Sequence, residues 1–134
     1  MSTARDEILA HYAHIAEVFP RFDLPAFRRC WHLPCLLTLP DACVAIADDA
    51  AFERVFGGMM EQLRAQGLTR SVPEHINIHV FGASTALASV LWTRYAGETV
   101  LERLGATYTL VRRDGEWLVT ALIAHAPEAV IALD

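Results

Sequence analysis

The sequence has no lysine: all eleven of its basic residues are arginines. That excludes Schiff-base catalysis by a lysine and a P-loop lysine, and no glycine-rich phosphate fingerprint is present. Acids outnumber bases sixteen to eleven, for a net charge of −5. Nucleic-acid phosphates and anionic lipid repel a surface of that sign, so neither nucleic acid nor a membrane is an expected partner. Apolar runs fall far short of the ~20 residues that a membrane span needs. The opening stretch, MSTARDEILAHY, carries Asp6 and Glu7 and no apolar core, unlike a signal peptide. Cysteine is scarce. Cys30, Cys35 and Cys43 form an odd set without a CxxC pair. This argues against a disulfide scaffold or a zinc knuckle and fits a reducing cytoplasm. Six prolines and seven glycines are too few for a linker or a low-complexity tract.

What remains is material for a core. With 134 residues, 54% hydrophobic and 20% charged, the chain reads as one domain over 1–134. Helical patterning comes first and strand patterning later, the order of an α+β domain. Residues 4–19 place Ile8, Leu9, Tyr12, Ile15, Ala16 and Phe19 on one stripe, with Thr3 as cap and Pro20 as stop. Asp23 starts a short second helix that His32, Leu33 and Pro34 break. Residues 35–39 and 43–47 are short strands around a turn at Pro40 and Asp41. Asp48 or Asp49 caps a third helix to about Gln66, its apolar face carrying Phe52, Val55, Phe56, Met59 and Leu63. Gly57 and Gly58 lie inside it and imply a close backbone approach or a break. From residue 72 the period becomes two, with strands at about 74–81, 84–95, 102–113 and 116–125. Gly82-Ala83, Gly97-Glu98 and Asp114-Gly115 make hairpin turns between them.

Two-residue turns fix the register, and an uninterrupted register assigns faces. Ile76, Ile78, Val80, Ser89, Leu91, Thr93, Tyr95, Leu104, Ala106, Tyr108, Trp117, Val119 and Ala121 then face inward, toward the helices. Outward lie His75, Asn77, His79, Ala86, Ala88, Val111 and Ala124, together with Val90, Trp92, Arg94, Thr107, Thr109, Leu118 and Leu122. That outer face is more apolar than a solvated one should be. A homodimer through Val90, Trp92, Arg94, Thr107, Thr109, Leu118 and Leu122 is expected. The tail APEAVIALD is a second candidate to cover part of the face. A one-residue bulge in the final strand would exchange its faces beyond that point.

The FDLPAFRRCW helix before the first strand, the WTRYAG turn and the RRDGEW hairpin resemble the NTF2-like family, in its SnoaL-like and ketosteroid-isomerase branch. The resemblance covers nearly the whole chain. It implies three helices packed on a strongly curved, mostly antiparallel sheet of about six strands. It also implies a cone with a cavity at its open end and dimers that pack through the sheet. Family members range from isomerases, cyclases and dehydratases to binding and assembly modules, so the fold does not choose among them.

Steroid isomerisation in this family needs a carboxylate base, a tyrosine and a protonated acid. Matched by motif, Leu39 stands where the base belongs, Ile15 where the helix tyrosine belongs and Ala106 where the second acid belongs. The chain is therefore not read as a ketosteroid isomerase. The expected pocket is apolar, lined by Tyr12, Ile15, Phe19, Trp31, Leu37, Leu39 and Phe56 from the first half of the chain. Met60, Ser89, Leu91, Thr93, Tyr108, Trp117 and His125 complete it. Such a lining suits a small hydrophobic molecule with one or two oxygens, and no cofactor is implied.

Two alternatives stay open. One is a SnoaL-like isomerase, cyclase or dehydratase using His125, Tyr108 or Tyr12 for proton transfer; the plainer reading of His125 is a strand-end histidine. The other is a protein-assembly module, which requires a cavity filled by side chains. His75 and His79 lie roughly 13 Å apart along a strand, too far to share a metal. Cys35 reads as a buried structural thiol, His32 as a capping residue, and His11 and His14 as solvated.

Overall fold

A computed structural model describes residues 2–132. Helix α1 (Ala4–Val18) starts at a reciprocal cap: the Asp6 amide donates to Thr3 Oγ1 (3.1 Å) and the Thr3 amide to Asp6 Oδ2 (3.2 Å). Its buried face is Ile8, Tyr12, Ile15 and Val18, and a 3₁₀ turn at Phe19–Arg21 ends it at Pro20. Helix α2 (Leu24–Arg28) is capped by Asp23, and α3 (Asp49–Ala65) by Asp48, whose Oδ1 accepts from the Ala51 amide (2.9 Å). Helix α3 runs unbroken through both glycines. A Cβ at Gly57 would make ordinary contact with Leu24 (3.6 Å), and one at Gly58 would meet nothing. Neither glycine is required by packing.

Six strands follow in chain order: β1 (Trp31–Leu39), β2 (Ala42–Ile46), β3 (Arg70–Phe81), β4 (Thr85–Ala96), β5 (Thr99–Arg113) and β6 (Glu116–His125). They form one sheet of order β2-β1-β6-β5-β4-β3, antiparallel except for the β1–β6 pair. Strand β1 begins at Trp31, four residues earlier than the sequence suggests. The WHLP segment extends the sheet rather than merely breaking α2. The β5–β6 turn has φ of 53° at Asp114 and 80° at Gly115, the left-handed pair that an Asp-Gly hairpin requires. Among the described residues no helix is long and apolar enough to cross a membrane.

Besides a register shift between Trp31 and Leu36 where β1 meets β6, three bulges curve the β3–β6 meander. Glu74 is the extra residue between the Pro73–Trp92 and His75–Leu91 pairs. Leu101 is extra between Tyr95–Val100 and Arg94–Glu102, and Thr120 between Leu110–Val119 and Thr109–Ala121. Each insertion reverses the facing of everything beyond it. The Leu101 bulge turns Ala86, Ala88, Val90, Trp92 and Arg94 inward, paired with Leu110, Tyr108, Ala106, Leu104 and Glu102. Ser89, Leu91 and Thr93 go outward. The Thr120 bulge turns Leu122 and Ala124 inward, and Ala121, Ile123 and His125 outward. Of the residues expected at a dimer interface, Val90, Trp92, Arg94 and Leu122 therefore belong to the inner face, while Thr107, Thr109 and Leu118 lie outside. The bulge foreseen in the last strand exists. The one in β5 was not anticipated.

Between helices and sheet lies one aromatic cluster. The rings of Phe27, Trp31, Phe52 and Phe56 sit 4.6 to 6.1 Å apart in tilted and edge-on arrangements. Glu7 fastens α1 to the far end of the sheet, accepting from Trp117 Nε1–H (2.9 Å) and Arg112 Nε–H (3.2 Å).

Candidate functional site

A cavity of about 180 Å³ opens between α1, α2, α3 and the inner face of the sheet. Ile15, Phe19, Phe27, Phe56 and Met59 supply the helix side; Trp31, Leu37, Leu39, Leu104, Ala106, Leu122 and Ala124 supply apolar wall from the strands. The lining residues that carry polar groups are Ser71, Trp92, Arg94, Tyr108 and Trp31, the last shared with a second groove. No carboxylate and no histidine lines it among the described residues.

The three positions where the isomerase pattern places its functional groups, Ile15, Leu39 and Ala106, all line this cavity. The motif match leads to this cavity, and the side chains at all three positions are apolar. Seven of the fourteen expected pocket residues, Ile15, Phe19, Trp31, Leu37, Leu39, Phe56 and Tyr108, are in the lining. Met60 is buried in the core, and its neighbour Met59 takes the cavity position. Tyr12 is fully buried behind Tyr108, ring centroids 5.0 Å apart. Trp117 lines a separate groove with Glu7, His11 and Glu116. Ser89, Leu91, Thr93 and His125 face the other side of the sheet, carried there by the bulges. Trp92 and Arg94 were not expected in the pocket, because their inward facing follows only from the Leu101 bulge.

Within the cavity wall the Trp92 Nε1–H donates to the Tyr108 hydroxyl at 2.8 Å. Burial raises the Tyr108 phenol well above its usual pKa, with the Trp92 hydrogen bond and Arg94 opposing, so it stays protonated. Tyr12 is raised as well, by burial first and then by Tyr108, and its hydroxyl has no partner among the described residues. Neither phenol is placed to act as a base at neutral pH.

His125 lies outside, in a hydrogen-bonded chain. Its Nδ1 faces the Ala126 carbonyl (2.9 Å), an acceptor, so Nδ1 carries the proton in the neutral ring. Nε2 then accepts from the Thr107 hydroxyl (2.8 Å), Thr107 accepts from Ser89 (2.8 Å), and Ser89 accepts from the Ile131 amide (2.9 Å). Every member is satisfied, and Ser89 is fully buried beneath the tail. The ring is held at Gly105, where a Cβ would overlap it. Tyr108 and His125, two of the candidates for proton transfer, occupy opposite faces of the sheet, and only Tyr108 lines the cavity.

The remaining candidates resolve simply. Cys35 is buried, and burial raises its thiol to about 11; Cys30 is raised to about 11 for the same leading reason. Both are unreactive at neutral pH. His79 packs edge-on against Phe81 (4.6 Å) on the outer face, and no cluster of metal-ligating residues is found among the described residues. His32 Nδ1 lies 3.2 Å from the Pro34 carbonyl. His11 is not solvated: it is half-buried against Tyr12, and burial, with His14 adding, lowers it to about 4.

No curated protein sequence matches the chain. Solved structures do. Aln2 from a Streptomyces species superposes with a TM-score of 0.76 at 16% identity, covering 96% of this chain and 95% of its own. An NTF2-like protein with a cystatin-like fold from Novosphingobium aromaticivorans gives 0.73 at 18%, covering 93% and 82%. A protein of unknown function with a cystatin-like fold from Nostoc punctiforme gives 0.73 at 12%, covering 96% of each chain. At these identities the likeness establishes the cone fold. Residues 6–127, nearly the whole chain, match the profile of the family described as NTF2-like protein (DUF6841). The chain belongs to that NTF2-like family.

Proposed function

We propose that this NTF2-like protein binds a small, mainly apolar molecule in its cone cavity without carrying out acid–base chemistry on it. The observation that carries the reading is the cavity itself: about 180 Å³ of apolar wall in which no carboxylate or histidine stands among the described residues. Proton transfer at neutral pH needs a group that can both give and take a proton there, and a buried phenol with a raised pKa does neither readily. An open cavity also weighs against the assembly reading, which needs that space filled. Calorimetric titration with octan-1-ol tests the proposal. Binding to the native chain, abolished by Ala106→Trp in a still-folded protein, is the expected result. Equal binding to both would place the alcohol elsewhere and overturn the reading.

The reading includes a homodimer through the outer face. Its support is the apolar surface left there after the tail has covered Ser89: Ile123 is 49% and Ile131 44% exposed, with Leu87, Leu91 and Val111 half-exposed around them. Sedimentation of Ile123→Glu is expected to give a monomer where the native chain gives a dimer; a native monomer would overturn this part.

A further inference from the structure

Arg94 is the one charged side chain lining the cavity among the described residues. Two contacts hold it. One η-nitrogen binds Glu102 at the rim (2.8 Å), and its guanidinium carbon lies 5.4 Å from the centroid of the Phe19 ring. Its Nε–H is buried and has no partner among the described residues. A buried donor left unpaired is costly, and natural structures keep few of them.

The other polar groups share that character. Ser71 pairs with Arg94 in register across β3 and β4, so its hydroxyl stands on the same wall. The Trp31 indole N–H is buried and also unpaired among the described residues. The Tyr108 oxygen already accepts from Trp92, so what it offers a ligand is its proton. The lining therefore has a surplus of donors and no anionic acceptor. That pattern complements a ligand whose polar end only accepts. A single guanidinium already shared with Glu102 matches one negative charge better than the two of a phosphate monoester.

Resting on the cavity-binding reading, we propose that the ligand is a small apolar monocarboxylic acid. Its carboxylate meets Arg94 Nε–H with Ser71 beside it. Its hydrocarbon part lies among Ile15, Leu37, Phe56, Met59 and Leu122. Arg94 then sets specificity, and the apolar wall sets size.

The test is titration calorimetry of the full chain at neutral pH with octanoate, octan-1-ol and octylamine. A carboxylate–guanidinium hydrogen bond in a partly desolvated site corresponds to about tenfold or more in affinity. Octanoate is expected to bind more tightly than octan-1-ol by that factor, and octylamine more weakly than either. Arg94→Gln should remove the preference for the acid. Should that variant fail to fold, Glu102→Gln serves instead: it frees the guanidinium and should raise octanoate affinity more than octan-1-ol affinity. Equal binding of acid and alcohol to the native chain overturns the assignment of Arg94 and leaves the cavity reading standing. So does a Glu102→Gln variant that changes both ligands alike. Absence of binding by all three to a chain shown to be folded overturns both.

Discussion

The two faces of the sheet bury polar groups in opposite ways. On the outer face Ser89, Thr107 and His125 satisfy one another in sequence and end on the Ile131 amide. Nearby, the Thr109 and Thr120 hydroxyls pair (2.6 Å), and the Thr93 hydroxyl donates to Glu74, which also holds Arg103 (3.0 Å). On the inner face the Arg94 Nε–H and the Trp31 indole N–H have no partner among the described residues. A satisfied network rigidifies what it touches, whereas an unsatisfied donor keeps its interaction energy for something else. By that measure the outer chain, catalytic in residue type, spends its hydrogen bonds on itself and the tail, and the apolar-looking inner wall keeps donors unspent.

The largest test of this contrast is Gly105→Ala. Its Cβ would overlap the His125 ring and fall 2.8 Å from the Ala126 carbonyl, so the ring must leave its place and the outer chain must break. A loss of about 3 kcal/mol in chemical denaturation is expected, the upper end for overpacking. Adding His125→Ala should restore part of it. No recovery would mean that the backbone contact alone decides.

Next is the acid limb. His11 is held neutral with a pKa of about 4, below its unfolded value of 6.5. The unfolded chain therefore takes up its proton first as pH falls. Stability should be unaffected above about pH 6.5 and decline between 6.5 and 4, by about 2–3 kcal/mol from this group. Denaturation midpoints of His11→Leu across that window should fall less steeply than those of the native chain; parallel curves would contradict the assignment.

Ser89→Ala leaves Thr107 and the Ile131 amide short of a partner, at a cost of about 1–2 kcal/mol. Hydrogen exchange should show the Ile131 amide opening first if the tail is held from this face. Smallest is Arg94→Leu, which removes an unpaired donor together with one rim ion pair and one ring contact. It should leave stability within about 1 kcal/mol of native. A much larger loss would mean that Arg94 is structural, and the contrast between the faces would fail.

Much of the fold was legible because its signals are local. Thr3, Asp23 and Asp48 cap where a cap is expected, Asp114-Gly115 turns where a turn is expected, and the period of two persists from β3 to β6. The lining was legible only where no bulge intervened. Ile15, Phe19 and Phe56 on helices, and Leu37 and Leu39 on a strand paired near its turn, came out in the lining. Trp92 and Arg94, which line the cavity, and Ser89 and Leu91, which do not, were each assigned to the opposite face, because their facing turns on one residue, Leu101, that differs from its neighbours in no compositional way. Glu7 shows a second limit. It suited the positive end of α1, but nothing local announces that it also clamps Trp117 and Arg112 from across the molecule.

The Leu101 and Thr120 bulges also give the sheet a numbering grammar of use to anyone redesigning it. Along β6, odd positions up to Val119 and even positions from Leu122 onward belong to the inner face; the rest belong to the outer surface. A library varied at 122 and 124 would reshape the cavity wall, while one at 121 and 123 would reshape the outer surface. The two properties could be selected separately within a single strand. A one-residue deletion at Thr120 would remove the bend and leave both sets facing as they do, because Val119, Ala121 and Leu122 keep their partners Leu110, Thr109 and Tyr108.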